Sequence, residues 1–243
     1  MLTDKETAEF ELLNLLTIGS APMGAVSSSL LLREKGLNIS VASVGRMLSS
    51  FDYQGLTSKQ GFQGRILTDN GLKRLSELSS KLHLAEISSR FFESVDAESK
   101  SNLIDVLIAR RGIERETARL AAINATEDDF ALLCKVYEKQ NMDTANGKDT
   151  ADSDVLFHQT VAVSSKNKVL SAAYDFIWQN GKFSPVMEYI RLAVGGVIAV
   201  DHGKILDALI KRDPDEADRC MAAHIDSLLS NVQKYWGQVI EKK

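Results

Sequence analysis

The sequence predicts a mostly α-helical protein in two parts, an N-terminal winged helix-turn-helix followed by an antiparallel all-helical bundle. Three observations carry this. Apolar residues recur at three- and four-residue spacing along most of the 243 residues, and only three prolines interrupt them. The exception is one pair of short extended segments around glycines at 56–68. Charge is also divided unevenly. Residues 20–75 carry Arg33, Lys35, Arg46, Lys59, Arg65, Lys73 and Arg74 against Glu34, Asp52 and Asp69, whereas 86–243 carries 20 basic and 25 acidic residues. A basic module joined to an acidic one suits a DNA reader with a separate sensor.

The elements follow in order. Residues 5–17 read as a helix with a stripe at Phe10, Leu13 and Leu16, stopped by Gly19, Ser20 and Pro22. Residues 24–35 form a second helix, closed by Gly36. Asn38 or Ser40 caps a third, in which Val41, Val44, Met47, Leu48 and Phe51 are in phase and Gly55 ends the run. Segments 56–60 and 65–68 make a hairpin around 61–64. Asp69 to Gly71 then leads into a helix with Leu72, Leu75, Leu78 and Leu82 on one side. This is the element order of a winged helix, over residues 1–85. Its third helix would enter the major groove, presenting Ser40, Ser43 and Arg46 to bases or phosphates, and Lys59 and Arg65 would sit on the wing.

Residues 86–99 read as a linker, and 100–240 as the bundle. Residues 102–124 are helical. Thr126 caps the next helix, with Glu127, Asp128 and Asp129 at its positive end, running to about Gln140. The polar stretch 141–152 reads as a loop. Helices follow at 154–164 and 168–180, a break at 181–185, one long or two shorter helices over 186–213 with Gly195-Gly196 as the weak point, and a last helix over 215–236.

Composition narrows the function. With 44% hydrophobic and 26% charged residues the chain suits a globular fold rather than a disordered one. Cys134 and Cys220 read as free thiols. The acidic N-terminus does not resemble a signal peptide and no apolar run would span a bilayer, so the expectation is a cytoplasmic protein without membrane contact. Of four histidines, His158, His202 and His224 fall in the bundle. Asp154 precedes His158 by four residues, so a helix places both on one face, and a bundle can bring later helices to the same interior point.

The blocks D-V-L-F-H (154–158), S-K-N (165–167), D-H-G-K-I-L-D-A-L-I-K-R-D (201–213) and M-A-A-H-I (221–225), with A-R-R-G-I-E-R-E-T-A-R-L-A-A (109–122) and A-T-E-D-D-F (125–130) ahead of them, resemble the ligand-binding domain of the FadR-like, FCD-type branch of the GntR transcription regulators. The resemblance implies a bundle with an interior divalent metal (zinc, nickel or manganese) held by Asp154, His158, His202 and His224, and a small carboxylate effector facing Arg110, Glu114 and Asn167. Arg110 could clamp a carboxylate, or could simply pair with Glu114 four residues on. The leading functional reading is a homodimer whose two winged helices engage a pseudo-palindromic double-stranded DNA operator, as dimeric helix-turn-helix proteins do. The Pro-Gly turn and Gly-rich wing with which GntR regulators open are missing from 1–80. The segment LTSKQGFQGRILTDNGLKRL instead resembles winged helices of archaeal nitrogen-type repressors and some exoribonucleases. Two other functions remain open to the sequence: a metal-dependent hydrolase, and a regulator whose metal is purely structural.

Overall fold

The computed structural model describes residues 2–18, 21–95, 99–178, 183–195 and 199–237. Gly19, Ser20 and Gly196, on which part of the sequence reading falls, lie outside them. The chain divides into two compact units, Met1–Arg90 and Phe91–Lys243.

The first unit contains α1 (Asp4–Ile18), α2 (Ala25–Glu34), α3 (Val41–Tyr53), β1 (Thr57–Lys59), β2 (Arg65–Leu67) and most of α4 (Asp69–Ser94). Leu12, Leu13 and Leu16 of α1 meet Leu32, Val44, Leu48, Phe51 and Leu78 in one core. Ser40 caps α3 by accepting the Ser43 amide proton. The wing pairs antiparallel, Thr57 opposite Leu67 and Lys59 opposite Arg65. Its root is fixed by two backbone hydrogen bonds between Met23 and Arg65, at 2.9 and 3.0 Å. Gly64 is required there: φ is +132°, and a Cβ would lie 2.4 Å from the Met23 carbonyl carbon.

The second unit contains α5 (Lys100–Asn124), α6 (Glu127–Ala145), α7 (Ala151–Ser164), α8 (Lys168–Trp178), α9 (Phe183–Val194), α10 (Ala199–Ile210) and α11 (Pro214–Tyr235). The pairs Arg111–Asp226 and Arg115–Asp218, both 2.7 Å, run in opposite sequence order, so α5 and α11 are antiparallel. Thr126 and Asp129 form a reciprocal capping box at the start of α6. Asp213 caps α11, whose first residue is Pro214.

Two boundaries differ from the sequence reading. The segment 86–99, read as a linker, is helical through Ser94. Phe91 and Phe92 explain this, since both rings pack on Phe176, with centroids 4.5 and 5.1 Å away. The segment 141–152, read as a loop, is helical through Ala145 and again from Ala151. Asp143, held at 3.2 Å by both Lys139 and Lys148, ties the last turn of α6. The break between α9 and α10 selects the two-helix alternative for 186–213.

Candidate metal centre and DNA-reading surface

The bundle core is layered. Along α5, Leu103, Val106 and Leu107 belong to one apolar cluster, Ala118, Ala121 and Ala122 to another, and Arg110 and Glu114 lie buried between them. Along α11 the order is reversed: Ala217 and Met221, then His224, then Ile225, Leu228 and Val232. Antiparallel packing therefore brings two polar mid-points into one layer. Asp154 and His158 on α7 and His202 on α10 complete it.

In this layer Asp154, His158, His202 and His224 are all buried, with one donor atom from each lying within 4.8 Å of every other. The three histidine Nε2 atoms converge: His158 is 3.2 Å from His224 and 3.2 Å from His202. Asp154 Oδ1 lies 3.3 Å from His202 Nε2 and has no hydrogen-bond partner among the described residues. Burial holds His202 well below the usual histidine range and also lowers His224, so both rings are neutral. If each neutral ring carries its proton on Nδ1, the Nε2 lone pairs face one another and repel. A shared cation relieves this, and donors about 2.0–2.1 Å from one ion stand at similar mutual distances. Around the layer, the carboxylates of Asp154 and Glu114 act on one buried guanidinium, Arg110, while Asp201 is part-exposed with Lys204 3.9 Å away. Carboxylates therefore outnumber the buried cations at the layer, an excess that a divalent ion would offset. The donor set fits the implied metal.

Without metal, the same burial makes stability pH-dependent. His202 and His224 have folded pKa values below the unfolded value of about 6.5, so the unfolded chain binds more protons in acid. Their contribution is complete above pH 6.5 and is lost as pH falls toward the folded values. Urea unfolding of chelator-treated protein should show stability dropping below pH 6.5 by up to about 1.4 kcal/mol per pH unit for each histidine. A flat profile between pH 7.5 and 5.5 would count against neutral buried rings.

The residues expected at an effector are placed as follows. Arg110 and Glu114 are each 1% exposed and pair with one another, Nε to Oε1 at 2.5 Å. The Arg110 guanidinium also stacks 4.6 Å from the Trp178 ring. Burial opposes ionisation of Glu114, but Arg110 and His158 outweigh it and hold the carboxyl down at about 2. Asn167 caps α8, its Oδ1 accepting from the Val169 and Leu170 amides at 3.1 and 3.2 Å. Gln140 was not anticipated: it is buried in α6, and its Oε1 lies 2.7 Å from His202 Nδ1. The signal was available, since Gln140 continues the phase of Phe130, Leu133 and Val136, a polar residue on an apolar stripe.

On the first unit, Ser40, Ser43 and Arg46 line one exposed edge of α3. Ser40 Oγ donates to Ser43 Oγ at 3.0 Å and Arg46 donates to Ser43 Oγ at 2.9 Å. Lys59 is exposed on the wing, 4.0 Å from Asp52. Arg65 corrects the sequence reading. It is mostly buried, and its Nε donates to both oxygens of Asp52 at 2.9–3.0 Å, so its guanidinium holds the wing root to α3 rather than facing outward. Phe62, which the sequence reading passed over, stands fully exposed at the wing tip.

The FCD domain family matches residues 105–227 and the ribonuclease R winged-helix domain matches 10–75. The Glc operon transcriptional activator of Escherichia coli strain K12 is 29% identical over 196 residues, 74% of this chain and 72% of the activator. The HTH-type transcriptional repressor NanR of Escherichia coli strain K12 is 30% identical over 132 residues, 54% of this chain and 50% of NanR. A solved Streptococcus agalactiae GntR structure aligns with a TM-score of 0.48 at 19% identity, covering 93% of this chain and 98% of that one. No described helix is long and apolar enough to cross a membrane.

Proposed function

The chain belongs to the FCD-domain family of GntR-type transcription regulators, and on that premise we propose that its winged helix binds an operator while its bundle senses a small organic acid at a divalent metal. Its named relatives are transcription regulators, not enzymes. The observation that carries the sensing half is the buried convergence of Asp154, His158, His202 and His224. These four would hold the ion, with zinc suiting the imidazole-rich set best and nickel or manganese also compatible. When bound, the ion supplies Lewis-acidic positions for carboxylate oxygens. The chain's residues exclude water from the layer and orient the donors.

For the reading half, a homodimer on a pseudo-palindromic duplex operator fits a helix-turn-helix reader. Ser40, Ser43 and Arg46 make the base and phosphate contacts, with Lys59 and Phe62 on the wing. Arg46→Ala should weaken operator binding about 10- to 100-fold, and Lys59→Ala should reduce the salt dependence by about one phosphate contact. Fluorescence anisotropy on a duplex obtained by in vitro selection reads both. Unchanged Arg46→Ala affinity would remove α3 as the reading helix.

An effector acts only by binding one arrangement of the protein better than another. The test is operator affinity across a panel of organic acids, with zinc-loaded and chelator-treated protein. One acid should shift affinity about 5- to 150-fold, in the loaded protein alone. A panel without effect on loaded protein would leave the second reading, an ion that only holds the bundle together. That reading draws on Arg110 and Asn167, both of which already have internal partners.

A further inference from the structure

Each cluster histidine turns Nε2 inward and Nδ1 outward, and each Nδ1 faces an acceptor on a different helix. His158 Nδ1 lies 2.6 Å from Glu114 Oε2 on α5, although its N–H is not aimed squarely at the oxygen. His202 Nδ1 lies 2.7 Å from Gln140 Oε1 on α6. His224 Nδ1 lies 3.8 Å from Asp201 Oδ2 on α10, an electrostatic contact longer than a hydrogen bond. A neutral imidazole has one ring proton. An acceptor beside Nδ1 keeps it there and leaves the Nε2 lone pair for a cation.

We propose that Glu114, Gln140 and Asp201 are the positioning residues of the metal centre, each holding one histidine in the Nδ1–H tautomer so that three Nε2 lone pairs address one divalent cation. This rests on the metal reading above. It gives Arg110 a supporting role, orienting Glu114 through the Oε1 contact while Oε2 faces His158. Gln140 makes the case most sharply. Its side chain is 1% exposed and its Nε2 has no partner among the described residues. A methionine would fill that place without stranding a donor, so what the glutamine contributes is its oxygen, at His202. The backbone of α10 is fixed from the same helix: a Cβ at Gly203 would lie 2.6 Å from the Tyr137 hydroxyl, three residues before Gln140 on α6.

The experiment uses the full chain, stripped of metal and titrated with zinc against a fluorescent chelator, together with the visible spectrum of the Co²⁺ form and nitrogen-15 correlation of the imidazoles in the metal-free protein. Gln140→Met should lower zinc affinity about 10- to 100-fold and alter the Co²⁺ bands. It should also move His202 off the Nδ1–H tautomer while leaving metal-free melting unchanged or raised. Arg110→Met/Glu114→Leu, which strands no charge and removes the acceptor, should do the same at His158. Zinc affinity and tautomers equal to those of the unaltered protein would overturn the positioning roles and leave the metal reading standing. No zinc binding by the unaltered protein would overturn both.

Discussion

Protein in which His158 and His202 are both replaced by alanine is expected to hold no divalent ion, where the unaltered chain holds about one. Two of the four convergent donors are gone, and Asp154 and His224 alone leave an ion with too few protein ligands to compete with water. Stability reads the same event. An ion present at a hundred times its dissociation constant, binding only the folded state, adds about 2.7 kcal/mol. For a chain of this size that is a melting shift of roughly 5–10 °C, present in the unaltered protein and absent in the double variant. Elemental analysis of tag-free protein and calorimetry with and without zinc measure both. Equal metal content in the two proteins would move the ion elsewhere in the chain. No metal in either, even after reconstitution, would leave the family membership to account for fold alone.

How much of this centre was legible in the sequence depends on the range of the interaction. Asp154 and His158 are one helical turn apart, so their shared face follows from spacing. His202 and His224 were placed through blocks of family resemblance, because nothing local in α10 or α11 says where their rings point. Gln140 and the outward partners of the rings are tertiary pairings between different helices, and only a packed bundle reveals them. The same limit misplaced Arg65. Its sequence neighbours are glycine, glutamine and isoleucine, and Asp52, which claims its guanidinium, lies 13 residues earlier on another element. The linker reading of 86–99 followed from its place between the two modules. What keeps α4 helical is Phe91 and Phe92 against Phe176, more than 80 residues away. In the winged helix, by contrast, caps, glycines and apolar phase are local, and the element order was readable throughout.

Arg110→Met should be among the most destabilising single changes in the bundle, by about 3–5 kcal/mol. The reason is Glu114. It is 1% exposed, and burial would neutralise it but for Arg110 and His158, so removing the arginine strands most of a buried negative charge. Arg110→Met/Glu114→Leu removes both charges at similar volume and should recover most of the loss, because an apolar pair in a buried site often matches or exceeds the ion pair it replaces. Urea unfolding of metal-free protein measures both variants without any effector present. The comparison separates the two roles the sequence left open for Arg110. A guanidinium held ready for a ligand carboxylate and otherwise in water would cost little stability when removed, within about 0.5 kcal/mol, and the double variant would then recover nothing. A large loss restored by the second substitution would instead mark Arg110 as the counter-charge of Glu114. An effector would then meet the layer from the metal side, and its carboxylate would be recognised by the ion rather than by the arginine.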